Sequence, residues 1–129
     1  MNQVYMWKPL WYWLGAVMTG IVVYLSLMPS PPQLDMTAGD KLQHLAAYSV
    51  LGFWFAMLAL ENWRQLCLAV GALIGLGIAL EFIQGMTCYR TFDVGDLLAN
   101  SLGVVSGSAL ARTRLGRALF WLERLLRAS

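Results

Sequence analysis

The sequence predicts an all-α membrane protein: a bundle of four transmembrane helices followed by a C-terminal amphipathic helix. Three observations predict it. Of 129 residues, 59% are hydrophobic and only 12% are charged, against roughly 25% charged in an ordinary soluble domain. Mean hydropathy is +0.60. Apolar runs of roughly 20 residues, the length that spans a bilayer, recur between short polar stretches. The same richness in aliphatic and aromatic residues excludes a disordered chain.

The first run, residues 10–28, carries no charge, and Pro29, Pro31 and Pro32 end it because proline cannot continue a helix. Its length exceeds the h-region of a signal peptide, about 7–15 residues, and no small-residue cleavage site follows, so a retained helix is expected. The second run, 42–60, holds one histidine, His44. The third, 66–84, holds Glu81 near its end. The fourth, 94–111, is the most polar, with Asp96, Asn100, Ser101, Ser106 and Ser108. Residues 1–111 thus form the membrane domain. Residues 112–129 form a basic tail in which Leu115, Ala118, Leu119, Leu122, Leu125 and Leu126 recur at helical spacing among five arginines. Such a helix lies on an anionic membrane surface, so no nucleic-acid partner is expected.

Four spans put both termini on one side, and the positive-inside rule chooses the cytoplasm. That side then holds Lys8, Arg64, Arg112, Arg114, Arg117, Arg124 and Arg127, and the outer side only Lys41 and Arg90. The acids divide the other way, with Asp35, Asp40, Glu81, Asp93 and Asp96 at the outer end. Cys67 and Cys88 fall at opposite ends of the third span, separated along it by roughly 30 Å. A disulfide needs Cα atoms within about 7 Å, so an intramolecular bridge is excluded.

Intramembrane polar residues converge on one level. Asp40, His44 and Tyr48 share one helix face by their i, i+4, i+8 spacing. Glu81 and Gln84 follow at i, i+3. Asp93, Asp96, Asn100, Gly103 and Gly107 form one stripe, polar outside and small inside. Charges in a bilayer are costly and face a bundle interior or water, so three segments meeting at one depth indicate a site. Gly103, Gly107 and Ala111 read as a close-packing helix face, as do Gly71 and Gly75 with Gly77.

The string Asp40-Lys41-x-x-His44-x-x-x-Tyr48, then Glu81-x-x-Gln84, then Arg90-x-x-Asp93-x-x-Asp96-x-x-x-Asn100-x-x-Gly103-x-x-x-Gly107 resembles the VanZ-like family over about residues 36–111. That family consists of small integral membrane proteins, and its name-giving member is associated with bacterial resistance to teicoplanin. The resemblance implies a multi-pass protein of the bacterial cytoplasmic (inner) membrane, a part of the cell envelope. It also marks Asp40, Lys41, His44, Tyr48, Glu81, Gln84, Arg90, Asp93, Asp96 and Asn100 as the shared ligand-binding residues.

Each residue carries two readings. His44 is either a structural hydrogen-bonder or a base near neutral pH, oriented by Asp40 and paired with Glu81. Glu81 either bridges to Arg90 or Lys41 or contacts a ligand. Asp93 reads as the cap of the fourth helix, which does not account for Asp96 and Asn100. His44, Glu81, Asp93 and Asp96 are ligand types that suit a cation, but without a specific ligand motif no metal and no cofactor is expected. There is no nucleophile elbow, P-loop or dinucleotide fingerprint. Three functions follow. The first is binding of a lipid-linked or amphiphilic ligand at the outer leaflet, contributing to teicoplanin-type resistance. The second is an enzyme acting on a lipid headgroup with His44 and Glu81 as acid–base groups and Asp96 orienting. The third is a small oligomeric transporter, so a homo-oligomer stays open.

Overall fold

In the computed structural model the described residues are 6–32, 35 and 38–129. Positions 36 and 37, where the family-like stretch begins, lie outside them, as do the first five residues. Helix α1 spans Lys8–Leu27, α2 Gly39–Leu58, α3 Trp63–Met86 and α4 Val94–Ala111. A 3-10 turn at Arg114–Arg117 leads into α5, Ala118–Ala128. No strand occurs among the described residues. A helix covers each of the four expected runs, with ends moved by a few residues at most.

Three of these helices, α1, α3 and α4, are long and apolar enough to cross a membrane. Four were expected. Helix α2 matches α1 in length at 20 residues, but Asp40, Lys41, Gln43 and His44 occupy its first turns and lower its hydropathy.

The helices run alternately up and down. On α1 and α2, Gly15 packs against Phe55, and the C-terminal end of α1 shares a cleft with Gln43 and Ala47. Contacts between α2 and α4 rise together in number: Lys41 with Asp96, His44 with Asn100, Ser49 with Ser106 and Gly52 with Ser108. These two helices are therefore parallel neighbours.

Glycine makes that closeness achievable. A Cβ on Gly103 would stand 2.6 Å from the Leu45 carbonyl oxygen, and one on Gly107 would overlap the Ser49 carbonyl. The stripe Gly103, Gly107 and Ala111 is buried throughout, as expected of small residues at a membrane-helix contact. Gly77 likewise meets Asn100 and Tyr48, but Gly71 and Gly75 face nothing within 4 Å. The third span's glycine pair is therefore not an internal packing face, and this expectation fails. Leu51, Tyr48, Leu73 and Val104 fill the centre of the bundle.

The tail helix is tied to the start of α1. Glu123 on α5 is 3% exposed. Its carboxylate accepts from the backbone N–H groups of Met6 and Trp7 and from the Trp11 indole at 2.6, 3.2 and 3.0 Å. The start of α1 has no side-chain cap of its own, and the carboxylate supplies acceptors for amides that a helix start leaves orphaned. The tail helix expected over residues 112–127 is α-helical only from Ala118; the 3-10 turn before it brings Gly116 so close to the Ala111 carbonyl that a Cβ would run into it.

Candidate functional site

The site forms where the first turns of α2, the end of α3 and the first turns of α4 meet. Its corner is braced from α1. Gln84 donates to the Ser26 carbonyl at 2.7 Å and the Tyr89 hydroxyl to the Leu27 carbonyl at 2.9 Å. Both acceptors lie in the last turn of α1, where carbonyls lack partners within the helix. Gln43 donates to the Pro32 carbonyl at 2.8 Å and holds the loop after α1 over α2. Gln84 is thus a buried structural tie.

Asp93 caps α4, accepting from Gly95 N–H at 2.6 Å. It also receives the Lys41 ammonium at 2.7 Å. That ammonium, and then the Gly95 amide, hold the Asp93 carboxyl below the usual carboxylate range. Lys41 stands 3.4 Å from Asp96 on its other side.

His44 is the centre. Its Nδ1 lies 2.9 Å from Asn100 Oδ1. A carbonyl oxygen only accepts, so the contact is a hydrogen bond in the tautomer with the proton on Nδ1, which leaves the lone pair on Nε2. Nε2 lies 3.8 Å from Asp40 Oδ1 and 3.7 Å from Asp96 Oδ2. The His44 side chain is 11% exposed and that of Asp96 6%. Arg90 approaches Asp40 at 3.9 Å.

The structure therefore brings Asp40, Lys41, His44, Arg90, Asp93, Asp96 and Asn100 together. Glu81 takes a different place. It is buried at 1% exposure, and its Oε1 accepts from the backbone N–H of Asp93 at 2.7 Å. It makes no ion pair with Arg90, Lys41 or His44 among the described residues; the expected bridge is replaced by a bond that anchors the start of α4. Glu81 Oε2 and the Tyr48 hydroxyl are buried without a hydrogen-bond partner among those residues. Asn100, not Asp40, orients His44. The sequence signal was present in Asn100's position one helical turn beyond Asp96, but choosing between the two partners needed the distance between α2 and α4.

Two clefts open on this cluster. One, of about 330 Å³, runs between α1 and α2 and is walled by Val22, Leu25 and Ala47, with His44 and Tyr48 further in. The other, about 550 Å³, lies over the loop ends and is lined by Tyr89, Thr91, Asp93 and Asp96. Asp40 and Arg90 line both.

Residues 5–115 match the VanZ/LLP1 family profile, covering the whole site. The chain belongs to the VanZ-like family. This VanZ-like protein is also 30% identical over 91 residues to the uncharacterized protein C11E3.10 of Schizosaccharomyces pombe. The match takes in 68% of this chain and 56% of the yeast protein, so this chain corresponds to little more than half of that relative. No solved structure matches.

Proposed function

We propose that this VanZ-like protein crosses the membrane four times, with both termini cytoplasmic, and that its outer-end site holds the charged headgroup of a lipid-linked or amphiphilic ligand. The ligand reading rests on the two clefts joined at Arg90 and Asp40. One wall is aliphatic and faces the hydrocarbon region, and the other is polar, so one molecule with a tail and an anionic head fits both. Arg90 and Lys41 are the cations available to the head. Resistance to teicoplanin would then be a consequence of headgroup binding in a bacterial host.

A second reading, an enzyme that modifies that headgroup, is favoured by one observation. Asn100 holds Nδ1 of His44 and leaves Nε2 directed between two carboxylates at the cleft.

Binding is tested with purified protein in nanodiscs, comparing phosphatidic acid with phosphatidylcholine. Arg90→Ala should weaken phosphatidic acid binding by about 10–100-fold, the loss of one charge-assisted hydrogen bond. Equal binding by folded Arg90→Ala and Lys41→Ala variants would sink the headgroup reading. Four crossings are supported by the alternating run of α1–α4 and by the arginines of the tail. A membrane-impermeant thiol reagent should label Cys88 in intact spheroplasts and spare Cys67, both of which are exposed on the protein. The reverse pattern inverts the topology.

A further inference from the structure

We infer that Asp40, His44 and Asp96 form a binding site for one divalent cation of the Mn²⁺ or Zn²⁺ class, placed to meet the headgroup. The inference rests on the headgroup reading for its purpose, but not for its geometry.

One ligand atom from each residue lies within 4.8 Å of the others. With Nδ1 protonated by its bond to Asn100, the Nε2 lone pair points at two carboxylate oxygens. In that form of the ring three electron-rich atoms face one another, an arrangement that a cation held between them would stabilise. A direct proton does not bridge them well, because 3.7 and 3.8 Å exceed the roughly 2.7–3.2 Å of a hydrogen bond. Two ligands of one cation, each at roughly 2.0–2.2 Å, stand roughly 3.0–3.6 Å apart. The observed separations are within a few tenths of an ångström of that.

A second observation is independent of the cluster's acidity. Asp96 is 4% exposed. Its Oδ1 is near Lys41, while Oδ2 accepts no hydrogen bond and is directed at His44 Nε2. Asn100 completes the pattern, since a metal-binding imidazole normally donates its other N–H to a fixed acceptor. Charge balance agrees: among the described residues Asp40, Asp93 and Asp96 meet the cations Lys41 and Arg90, so acids exceed these bases. Imidazole and carboxylate together suit Zn²⁺ and Mn²⁺.

The other acids are already committed. Asp93 is taken by Lys41 and Gly95, and Glu81 by the Asp93 amide. Three protein ligands leave coordination positions open toward the polar cleft, where an anionic oxygen of the headgroup would complete the shell. On this account His44 Nε2 serves as a ligand, not as a proton carrier.

The test is Mn²⁺ binding to the purified full chain, followed by electron paramagnetic resonance, with Zn²⁺ as competitor. Wild type should bind one Mn²⁺ per chain, displaced by Zn²⁺. His44→Ala and Asp96→Asn should each lose binding by at least about 100-fold. Asn100→Ala should weaken it by about 10–100-fold, as expected of a group that orients a ligand. Glu61→Gln, an exposed acid past the opposite end of α2 from the cluster, should leave it unchanged. Thermal unfolding confirms that each variant is folded. No saturable binding of either metal by wild type, or binding that survives in folded His44→Ala and Asp96→Asn, overturns the site. Phosphatidic acid binding measured with and without EDTA separates the two proposals. Binding retained in EDTA, with no Mn²⁺ signal, removes the cation and leaves the headgroup site standing.

Discussion

His44 Nδ1 and Asn100 Oδ1 are 2.9 Å apart, and this bond joins α2 to α4 at the level of the site. It fixes the tautomer of the only histidine in the chain. The imidazole ¹⁵N shifts of the wild type should therefore report Nδ1–H at neutral pH. In Asn100→Ala the preference should be lost and stability should fall by about 1–3 kcal/mol, because a nearly buried donor loses its partner. A variant whose ¹⁵N spectrum stays unchanged would deny Asn100 this role.

Close glycine packing between α2 and α4 gives a paired prediction. Gly107→Ala should destabilise the fold by about 1–3 kcal/mol, as overpacked contacts do, since the added methyl meets the Ser49 backbone rather than a movable side chain. Gly75→Ala should be neutral or slightly stabilising, because space is open there and alanine is the better helix former by roughly 1 kcal/mol. Thermal unfolding in one detergent compares the two directly.

The tie from α5 to α1 should be visible by proteolysis. Glu123→Ala leaves two backbone amides and the Trp11 indole without their acceptor. A cost of about 1–3 kcal/mol follows from the unsatisfied donors, and cleavage after the arginines of the tail should quicken. Equal cleavage rates for variant and wild type would mean that α5 is held by its apolar face alone.

Acid should weaken the α3–α4 corner in a particular window. Asp93 has its folded pKa below the unfolded value through the Lys41 ammonium and the Gly95 amide. A depressed carboxylate contributes stability above its unfolded pKa, about 3.9, and loses it as pH falls through the folded value. The melting-temperature difference between wild type and Asp93→Asn should thus be constant from neutral pH down to about 5 and shrink below about 4. The pair is half exposed, so the difference is small and should diminish with added salt.

The sequence by itself determined the class, the approximate helix positions and most of the residues that meet in the polar cluster. Apolar runs of spanning length and the proline stop after the first run are local signals, and the i, i+4 spacings of Asp40, His44 and Tyr48 follow from helix geometry alone. The interhelical distances decided the rest. Only the tertiary structure sent Glu81 to the Asp93 amide instead of to a cation, gave His44 to Asn100, and left Gly71 and Gly75 without neighbours while closing Gly107 on Ser49. It also brought Glu123 back to residues more than a hundred positions earlier, which no periodicity encodes. A period states which face of a helix a side chain occupies. Which partner that face meets, and at what distance, depends on how close the glycines let α2 and α4 approach.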